Sequence, residues 1–450
     1  MEQDRLDKLE KLNYLLVGKE KVPINQDRQY NETFEVYSSL SLAKEVISKL
    51  KSWDLKIIEG RVVQINNLGK CMFIQIQTNK GLKQIFAEQS LDSFEVVKLV
   101  QIGDLVRASG VLFLTKQEKE CLYTCIFILC AKALRGIGKS LKEDGKIENA
   151  ETLRRQRYID YISNGTESLR VRHKVINKIR ECLNNSDYVE VETRILQPIN
   201  SGANARPFVT KYNVVGEDFF LRVAPELDLK RLVIGGLYRV YEIGKSFRNE
   251  GISDKHNPEF TSLEVYTAFS NWEDAISMSI NLLSWAFIAA GKPELLQTHV
   301  NIEDLLKEHG VSYTYETIME QFEKEVEPKL ASLYKDRLVI VDGFPTYSCA
   351  LAKTFDKDPK YIERFEMYFN GMEIANGYSE LNNSIEQRKR FEEQQLQKDK
   401  MDIDEDFLNA LEYGMPPTSG FGIGIDRLMM ILLEKDNIKD VIPFPPYKNK

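Results

Sequence analysis

The chain has 450 residues, enough for two or three domains that each bury a core of their own. Its 43% hydrophobic and 29% charged content is typical of a globular protein, and no apolar run reaches the ~18–20 residues needed to span a bilayer. A formal net charge of −7 argues weakly against a surface that coats nucleic acid everywhere, while leaving room for a local basic groove.

The charged opening, MEQDRLDKLEKL, lacks the apolar stretch of a secretory signal, so the cytoplasm is the expected compartment. Cys71, Cys121, Cys125, Cys130, Cys182 and Cys349 form no C-x-x-C pair and are expected as buried free thiols. His173, His256, His299 and His309 are too scattered for a sequence-local ligand set.

Leu6, Leu9, Leu12, Leu15 and Leu16 at heptad-like spacing, followed by SLAKEVISKLKS, predict a helical extension over residues 1–55. From residue 56 the text becomes β-branched and aromatic. KIIEGRVVQI, CMFIQIQ, LKQIFAEQ, LVRASGVLFLT and LYTCIFILCAKAL predict five strands of a small Greek-key barrel of the OB type over 56–140. The charged, glycine-bearing GIGKSLKEDGKIENAETLRRQR reads as a solvated connection entering a helix. It opens a larger region, 141–450, that mixes long helices with strands.

Three stretches there carry chemistry. In LYRVYEIGKSFRNEGISDKHNPEFTSLEVYTAF, one strand runs toward Arg248 and Glu250, a polar loop follows, and a second strand puts Glu264 and Tyr266 on one face. A guanidinium offers a planar fork to phosphate oxygens, and the ring of Phe260 offers a face to a base, which together suit a nucleotide. A surface hairpin with an Arg–Glu pair and a core phenylalanine fits the same text.

In RFEMYFNGMEIANGYSEL, Asn370-Gly371 predicts a two-residue hairpin turn. That register sets Tyr368 opposite Glu373 and projects Glu366 and Glu373 to one side. Two neighbouring carboxylates suit a Mg²⁺ ion shared with substrate phosphates, or else an exposed acidic face. Asn376, Tyr378 and Glu380 have the other parity and join the same side only if a bulge intervenes, expected around Ala375 to Gly377. In TSGFGIGIDRLMMILL, a glycine-spaced strand admits close approach of a ligand or of backbone, and Arg427 stands near the start of a helix.

In this order, with YVEVETRILQPINSGANARPF and LRVAPELDLKRL upstream, these stretches resemble the motifs of class II aminoacyl-tRNA synthetases, and most specifically of the lysyl-tRNA synthetases. The resemblance implies an α+β protein: an N-terminal OB-fold β-barrel with a helical extension, then a class II synthetase antiparallel sheet flanked by helices. It implies ATP lying bent on that sheet. Arg248 would meet the α-phosphate and Arg427 the γ-phosphate as the catalytic pair. Phe260 would stack on adenine, Glu250, His256 and Asn257 would help hold the nucleotide, and Glu366 and Glu373 would carry Mg²⁺.

For L-lysine the resemblance implies Gly202, Glu226, Glu264, Tyr266, Asn376, Tyr378 and Glu380. Glu226 would take the α-amino group, and Glu380 with Tyr266 the ε-ammonium. Several acids suit a substrate with two ammonium groups, because a buried cation needs a paired, hydrogen-bonded partner. The family's anticodon-binding domain implies tRNA(Lys) as a partner, with Phe73 stacking on a base, Gln84 reading a base edge and Glu120 as a third candidate. A homodimer is also implied.

The chain departs from the family's pattern at several points. Asp187 stands where motif 1 ordinarily has glycine, Arg194 where it has proline, and Asp228 where APELYLKR has tyrosine. FPTYSCALAK differs from YP-x-E-x-SPL and is similar to the ligases that attach lysyl or β-lysyl groups to elongation factor P. Those ligases lack the OB domain and generally have serine and alanine where this chain has Ala224 and Gly422. A protein-lysine ligase and a catalytically silent synthetase paralogue are the alternatives.

Overall fold

The computed structural model describes residues 3–4, 7–8, 36–37, 39–47, 55–136, 150–200, 202, 205–251, 253–397 and 403–447. Leu6, Leu9, Leu12, Leu15 and Leu16 of the expected helical extension, and most of the charged connection, lie outside the described residues. The chain divides into two compact units, Met1–Asn149 and Ala150–Lys450. Among the described residues, no helix is long and apolar enough to cross a membrane.

The first unit comprises strand β1 (Val36–Tyr37), helix α1 (Leu40–Ile47), β2 (Lys56–Asn67), β3 (Cys71–Thr78), β4 (Gly81–Glu88), the one-turn α2 (Phe94–Val97), β5 (Leu105–Leu114) and β6 (Glu120–Ala131). The strands run β1-β5-β2-β3-β4-β6, and pairing of β5 with β6 closes the sheet into a barrel. Period-two alternation fills it: Met72, Ile74 and Ile76 of β3 meet Val62, Ile85, Val106 and Leu122 inside. The five expected strands are present, with β1 added at one edge. The cysteines carry no disulfide, but only Cys121 is buried and Cys130 is exposed. The expectation that all six are buried therefore fails: strand text alone does not say which face of an alternating strand meets the core.

In the second unit, α3 (Glu167–Asn184) leads into β7 (Val189–Glu190) and a small three-stranded sheet of β8 (Leu196–Gln197), β9 (Phe208–Tyr212) and β10 (Glu217–Leu221). Helix α4 (Glu226–Ile234), the long pair β11 (Arg239–Phe247) and β12 (Glu259–Ala268), and α5 (Trp272–Ala289) follow. Next come β13 (Gln297–Asn301), β14 (Leu338–Asp342), β15 (Arg364–Phe369), β16 (Met372–Ser379), α6 (Ser384–Gln397), α7 (Glu405–Glu412), β17 (Thr418–Gly424) and α8 (Ile425–Leu432).

The main sheet has the order β13-β14-β15-β16-β17-β12-β11-β7, antiparallel from β14 to β11 and parallel at each edge. One face is apolar. Tyr241, Leu263, Val265, Phe365, Met367, Phe421 and Ile423 pack there with Ile179 and Leu183 of α3, Leu282 and Leu283 of α5, and Leu428 of α8. Residues of the other parity, including Glu264, Tyr266, Gly420, Gly422, Glu366 and Tyr368, therefore face the opposite side.

The bulge that the site requires exists, but it falls before the expected place. Met367 pairs with Ala375 and Tyr368 with Glu373, so Ile374 is the extra residue. Ile374 enters the apolar layer beside Ala375, which gives a bulged side chain a dry environment. Gly377 has another purpose. A Cβ there would overlap the carbonyl of Gly420, the Cβ of Phe421 and the ring of Phe365.

A buried ion pair ties the small sheet to the large one. Arg222, just after β10, lies 2.6 Å from Glu242 of β11, and both are at least 96% buried. The Arg222 Nε donates to the Lys245 carbonyl at 2.8 Å, and the Thr193 hydroxyl donates to Glu242 at 2.6 Å. Glu242→Ala should cost about 3–5 kcal/mol in denaturant unfolding, because the guanidinium is left buried and unpaired. Adding Arg222→Met should recover most of that loss, and a strictly additive double variant would contradict the assignment.

Candidate active site

The polar face of the sheet collects three acids at the end covered by α4 and α7. Glu226 opens α4, Glu264 projects from β12, and Glu380 follows β16. Glu226 Oε1 accepts from the Tyr378 hydroxyl at 2.6 Å and from Lys230 Nζ at 2.7 Å. Lys230 also pairs with Glu380 Oε2, so one ammonium joins two of the carboxylates. Both Glu380 oxygens are buried without a hydrogen-bond partner, Oε2 being engaged only through its ion pair with Lys230. An unsatisfied buried carboxylate oxygen is costly, and a cationic ligand would satisfy it.

Small residues make room here. A Cβ on Gly420 would overlap Glu380 Oε1 and the Tyr266 ring, and one on Gly422 would crowd the Glu264 carboxylate. Gly202, at φ +95°, lies against Ala224 and Leu227 where α4 begins. The glycine-spaced strand is thus a device for admitting side chains from neighbouring strands. Tyr266 and Tyr378 are held above the ordinary phenol range, first by burial and then by Glu226, for Tyr378 with the Cys349 thiol next. Glu264 is pushed up to about 8 by burial, with Glu226 adding to the effect.

The nucleotide-like end lies on the same face. Strand β11 stops at Phe247, so Arg248 and Glu250 belong to the loop and are exposed. The Arg248 guanidinium lies over the Phe260 ring, 5.2 Å from its centroid, where the resemblance implies an adenine. The positive charge of Arg248 lowers the pKa of both Glu264 and His256. Asn257 is buried and donates to the Glu259 carbonyl at 2.6 Å, while its Oδ1 has no partner.

Arg427, in the first turn of α8, donates to Glu373 Oε2 at 2.9 Å, to the Glu373 carbonyl at 3.0 Å and to His256 Nε2 at 3.1 Å. Since arginine can only donate, His256 carries its proton on Nδ1 and gives it to Ser253 Oγ at 2.7 Å. Burial and then Arg427 hold the His256 pKa below the usual imidazole range. Behind Arg427, Asp426 accepts from the Thr261 amide and from Arg172, each at 2.7 Å, which fixes the start of α8 against β12.

Glu366 and Glu373 both line one cavity of ≈ 490 Å³, with Glu323, Glu327, Tyr347, Ser348, Arg364 and Tyr368. Glu366 pairs with Arg364 and accepts from the Tyr368 hydroxyl at 2.6 Å. Burial pushes the Glu366 pKa up despite Arg364. Burial opposes ionisation of Glu373 too, yet Arg427 and the Asn376 amide hold its pKa below the carboxylate range. Among the described residues no cluster of three or more acids, histidines or cysteines is arranged to hold a metal. Two carboxylates lining one cavity fit Mg²⁺, which commonly takes one or two carboxylates and completes its shell with phosphate and water.

On the barrel, Phe73 and Gln75 of β3 stand opposite Phe86 and Gln84 of β4. This face is the one turned away from Met72, Ile74 and Ile76. Phe73 is half-buried against Phe86, with centroids 4.8 Å apart, and Gln84 is half-buried beside it. Glu120 is exposed and within 3.5 Å of Lys83.

The family described as tRNA synthetases class II (D, K and N) matches residues 149–448. The chain belongs to it. Lysine--tRNA ligase 2 of Methanosarcina mazei is 38% identical over 87% of this chain and 84% of its own length. The lysine--tRNA ligase of Oceanobacillus iheyensis is 36% identical over 94% of each chain, and that of Thermotoga sp. strain RQ2 is 37% identical over 100% of this chain and 96% of its own.

Set among class II synthetases, the departures acquire physical reasons. Asp187 has φ +61°, the left-handed conformation that glycine adopts most easily and that aspartate tolerates better than most residues. Arg194 pairs with Asp228 through two contacts of 3.1 Å, so two departures offset each other. Asp228 also meets Arg231 at 3.1 Å, so its charge is engaged on the flank of α4. Lys230 and Arg364 stand among these groups without belonging to any of the three stretches' expected site residues. The i,i+4 spacing of Glu226 and Lys230 and the i,i+2 spacing of Arg364, Glu366 and Tyr368 were the available signals.

Glu264 makes a pH prediction. The native protein keeps a proton on Glu264 that the unfolded chain releases near its ordinary pKa of 4.5, so folding stability falls as pH rises from 4.5 toward about 8 and then levels off. Glu264→Gln removes this contribution. Thermal melts at about pH 5 and about pH 9 should show a smaller loss for the variant than for the parent; equal losses would rule out the buried neutral carboxyl.

Proposed function

We propose that the protein is a lysine–tRNA ligase of the cytoplasm, which activates L-lysine with ATP and transfers it to tRNA(Lys). The observation that carries this reading is the gathering of Glu226, Glu264 and Glu380 on the sheet face that also holds Arg427, Glu366 and Glu373. A cluster of acids on the same sheet face as a phosphate-type cationic group suits a diammonium substrate that must react with a triphosphate.

The lysine carboxylate attacks the α-phosphorus of ATP in line, forming a new P–O bond as pyrophosphate leaves. A terminal ribose hydroxyl of tRNA then attacks the acyl carbon of lysyl-adenylate and releases AMP. No protein nucleophile is required. Arg248, whose charge reaches both Glu264 and His256, is suited to bear on the α-phosphate; Arg427, Glu250, His256 and Asn257 serve the rest of the nucleotide. For Phe260 to stack on adenine, the Arg248 guanidinium must share or vacate the ring face it now covers. Glu366 and Glu373 would hold Mg²⁺, which supplies positive charge to the departing pyrophosphate.

Gly202, Glu226, Glu264, Tyr266, Asn376, Tyr378 and Glu380 form the lysine site in this reading, with Glu226 toward the α-amino group and Glu380 with Tyr266 toward the ε-ammonium. Phe73 and Gln84 present a ring and an amide on the outer face of the barrel, as recognition of unstacked anticodon bases requires. A homodimer accords with the exposed apolar side chains of Val189, Leu196, Val209, Val214 and Val215 around β7 to β10. The relatives named lysine--tRNA ligase span the barrel as well as the sheet, and this favours tRNA over a protein acceptor.

The test is lysine-dependent exchange of labelled pyrophosphate into ATP, followed by transfer of labelled lysine in the presence of tRNA or of elongation factor P. Exchange with lysine and label on tRNA are expected; label on elongation factor P alone would replace the reading. Arg248→Ala should lower the exchange rate by about 10²–10³-fold while changing the lysine Kd much less, because its charge acts mainly on the transition state.

A further inference from the structure

Lys230 lies between two of the acids assigned to the amino-acid site. Its side chain is completely buried, one helical turn after Glu226 on α4. Nζ donates to Glu226 Oε1 at 2.7 Å and pairs with Glu380 Oε2, while the rings of Tyr378 and Phe407 stand 5.7 and 5.9 Å from it. Burial alone would favour a neutral amine, yet Glu226 and Glu380 hold its pKa above the usual lysine range, so the group stays charged. Each acid thus commits one oxygen to the same ammonium. The other oxygens remain: Glu380 Oε1 is buried and unpartnered, and Glu226 Oε2 has no hydrogen bond among the described residues.

We propose that Lys230 is a positioning residue that fixes the separation of Glu226 and Glu380, so that their two remaining oxygens measure the distance between the α- and side-chain ammonium groups of the substrate. The proposal rests on the reading of this pocket as the lysine site. Two carboxylates bridged by one cation cannot spread apart or close up without breaking a charge-assisted bond in a dry environment. An amino acid one methylene shorter, such as ornithine, leaves one oxygen unmet in that fixed frame. Without the bridge the acids repel each other, one takes up a proton, and the spacing relaxes.

The experiment compares pyrophosphate exchange with lysine and with ornithine for the parent protein, Lys230→Met and Phe407→Leu. Phe407→Leu withdraws one ring from Nζ and leaves the pocket acids in place. The parent should prefer lysine by ~10–200-fold in kcat/KM, the range typical of one methylene. Lys230→Met should cut that preference at least about tenfold, with KM for lysine raised and KM for ATP little changed. Phe407→Leu should shift the preference in the same direction by less, which keeps the test open should Lys230→Met fold poorly. The selectivity ratio does not depend on the fraction of active protein, so a purely structural role for Lys230 would leave it unmoved. Exchange by the parent with an unchanged ratio in whichever variants fold overturns the proposal alone. Absence of lysine-dependent exchange by the parent overturns the functional reading, and the proposal with it.

Discussion

Strand parity governs this protein. Each central strand of the large sheet must turn one set of side chains toward α3, α5 and α8, and hydrophobic burial of Leu263, Val265, Phe365, Phe421 and Ile423 makes that choice irreversible. A one-residue slip would put Glu264 and Glu366 into the apolar layer. The same burial that holds the sheet together therefore selects the residues of the other face, and these are the acids, tyrosines and glycines of the site. The bulge at Ile374 is the local exception that lets Glu373 and Asn376 share that face, and a hydrogen bond of 3.1 Å between them records the result.

Charge has then to be balanced within a largely dry cleft. Much of the balance comes from the protein's own cations: Arg222 for Glu242, Arg364 for Glu366, Arg427 for Glu373, Arg172 for Asp426, and Lys230 for Glu226 and Glu380 together. What remains is informative. Glu264 has no ion-pair partner among the described residues and burial pushes its pKa up, and neither Glu380 oxygen has a hydrogen-bond partner. Groups left unsatisfied amid so much compensation are the ones expected to meet a substrate. Arg364 and Arg427 neutralise Glu366 and Glu373, so both carboxylates that line this cavity are paired within the protein itself.

The departures from the synthetase pattern show how a fold accommodates unusual residues. Asp187 occupies a conformation dictated by the turn after α3, and Arg194 is compensated by Asp228 some distance along the chain. Neither adjustment touches the acids that face the pocket. The altered FPTYSCALAK segment is different, because Tyr347 and Ser348 line the same cavity as Glu366 and Glu373. That segment is where this chain's chemistry has most opportunity to diverge from that of its relatives.

The amino-acid sequence by itself determined what depends on neighbours along the chain. The barrel strands followed from alternation, and the juxtaposition of Glu366 and Glu373 followed from the Asn370-Gly371 turn, since a two-residue hairpin has only one register. Family membership was equally legible, being carried by ordered motifs. Tertiary structure decided the rest. The bulge fell at Ile374 and not near Gly377 because the packing of Met367, Ala375 and Phe421 chooses which residue is extra. Lys230 read as one half of a helical i,i+4 pair, and only the arrival of Glu380 from a strand 150 residues later, with Phe407 closing over it, makes it a buried bridge. Desolvation is a property of everything that surrounds a group, so no local stretch of sequence can specify it.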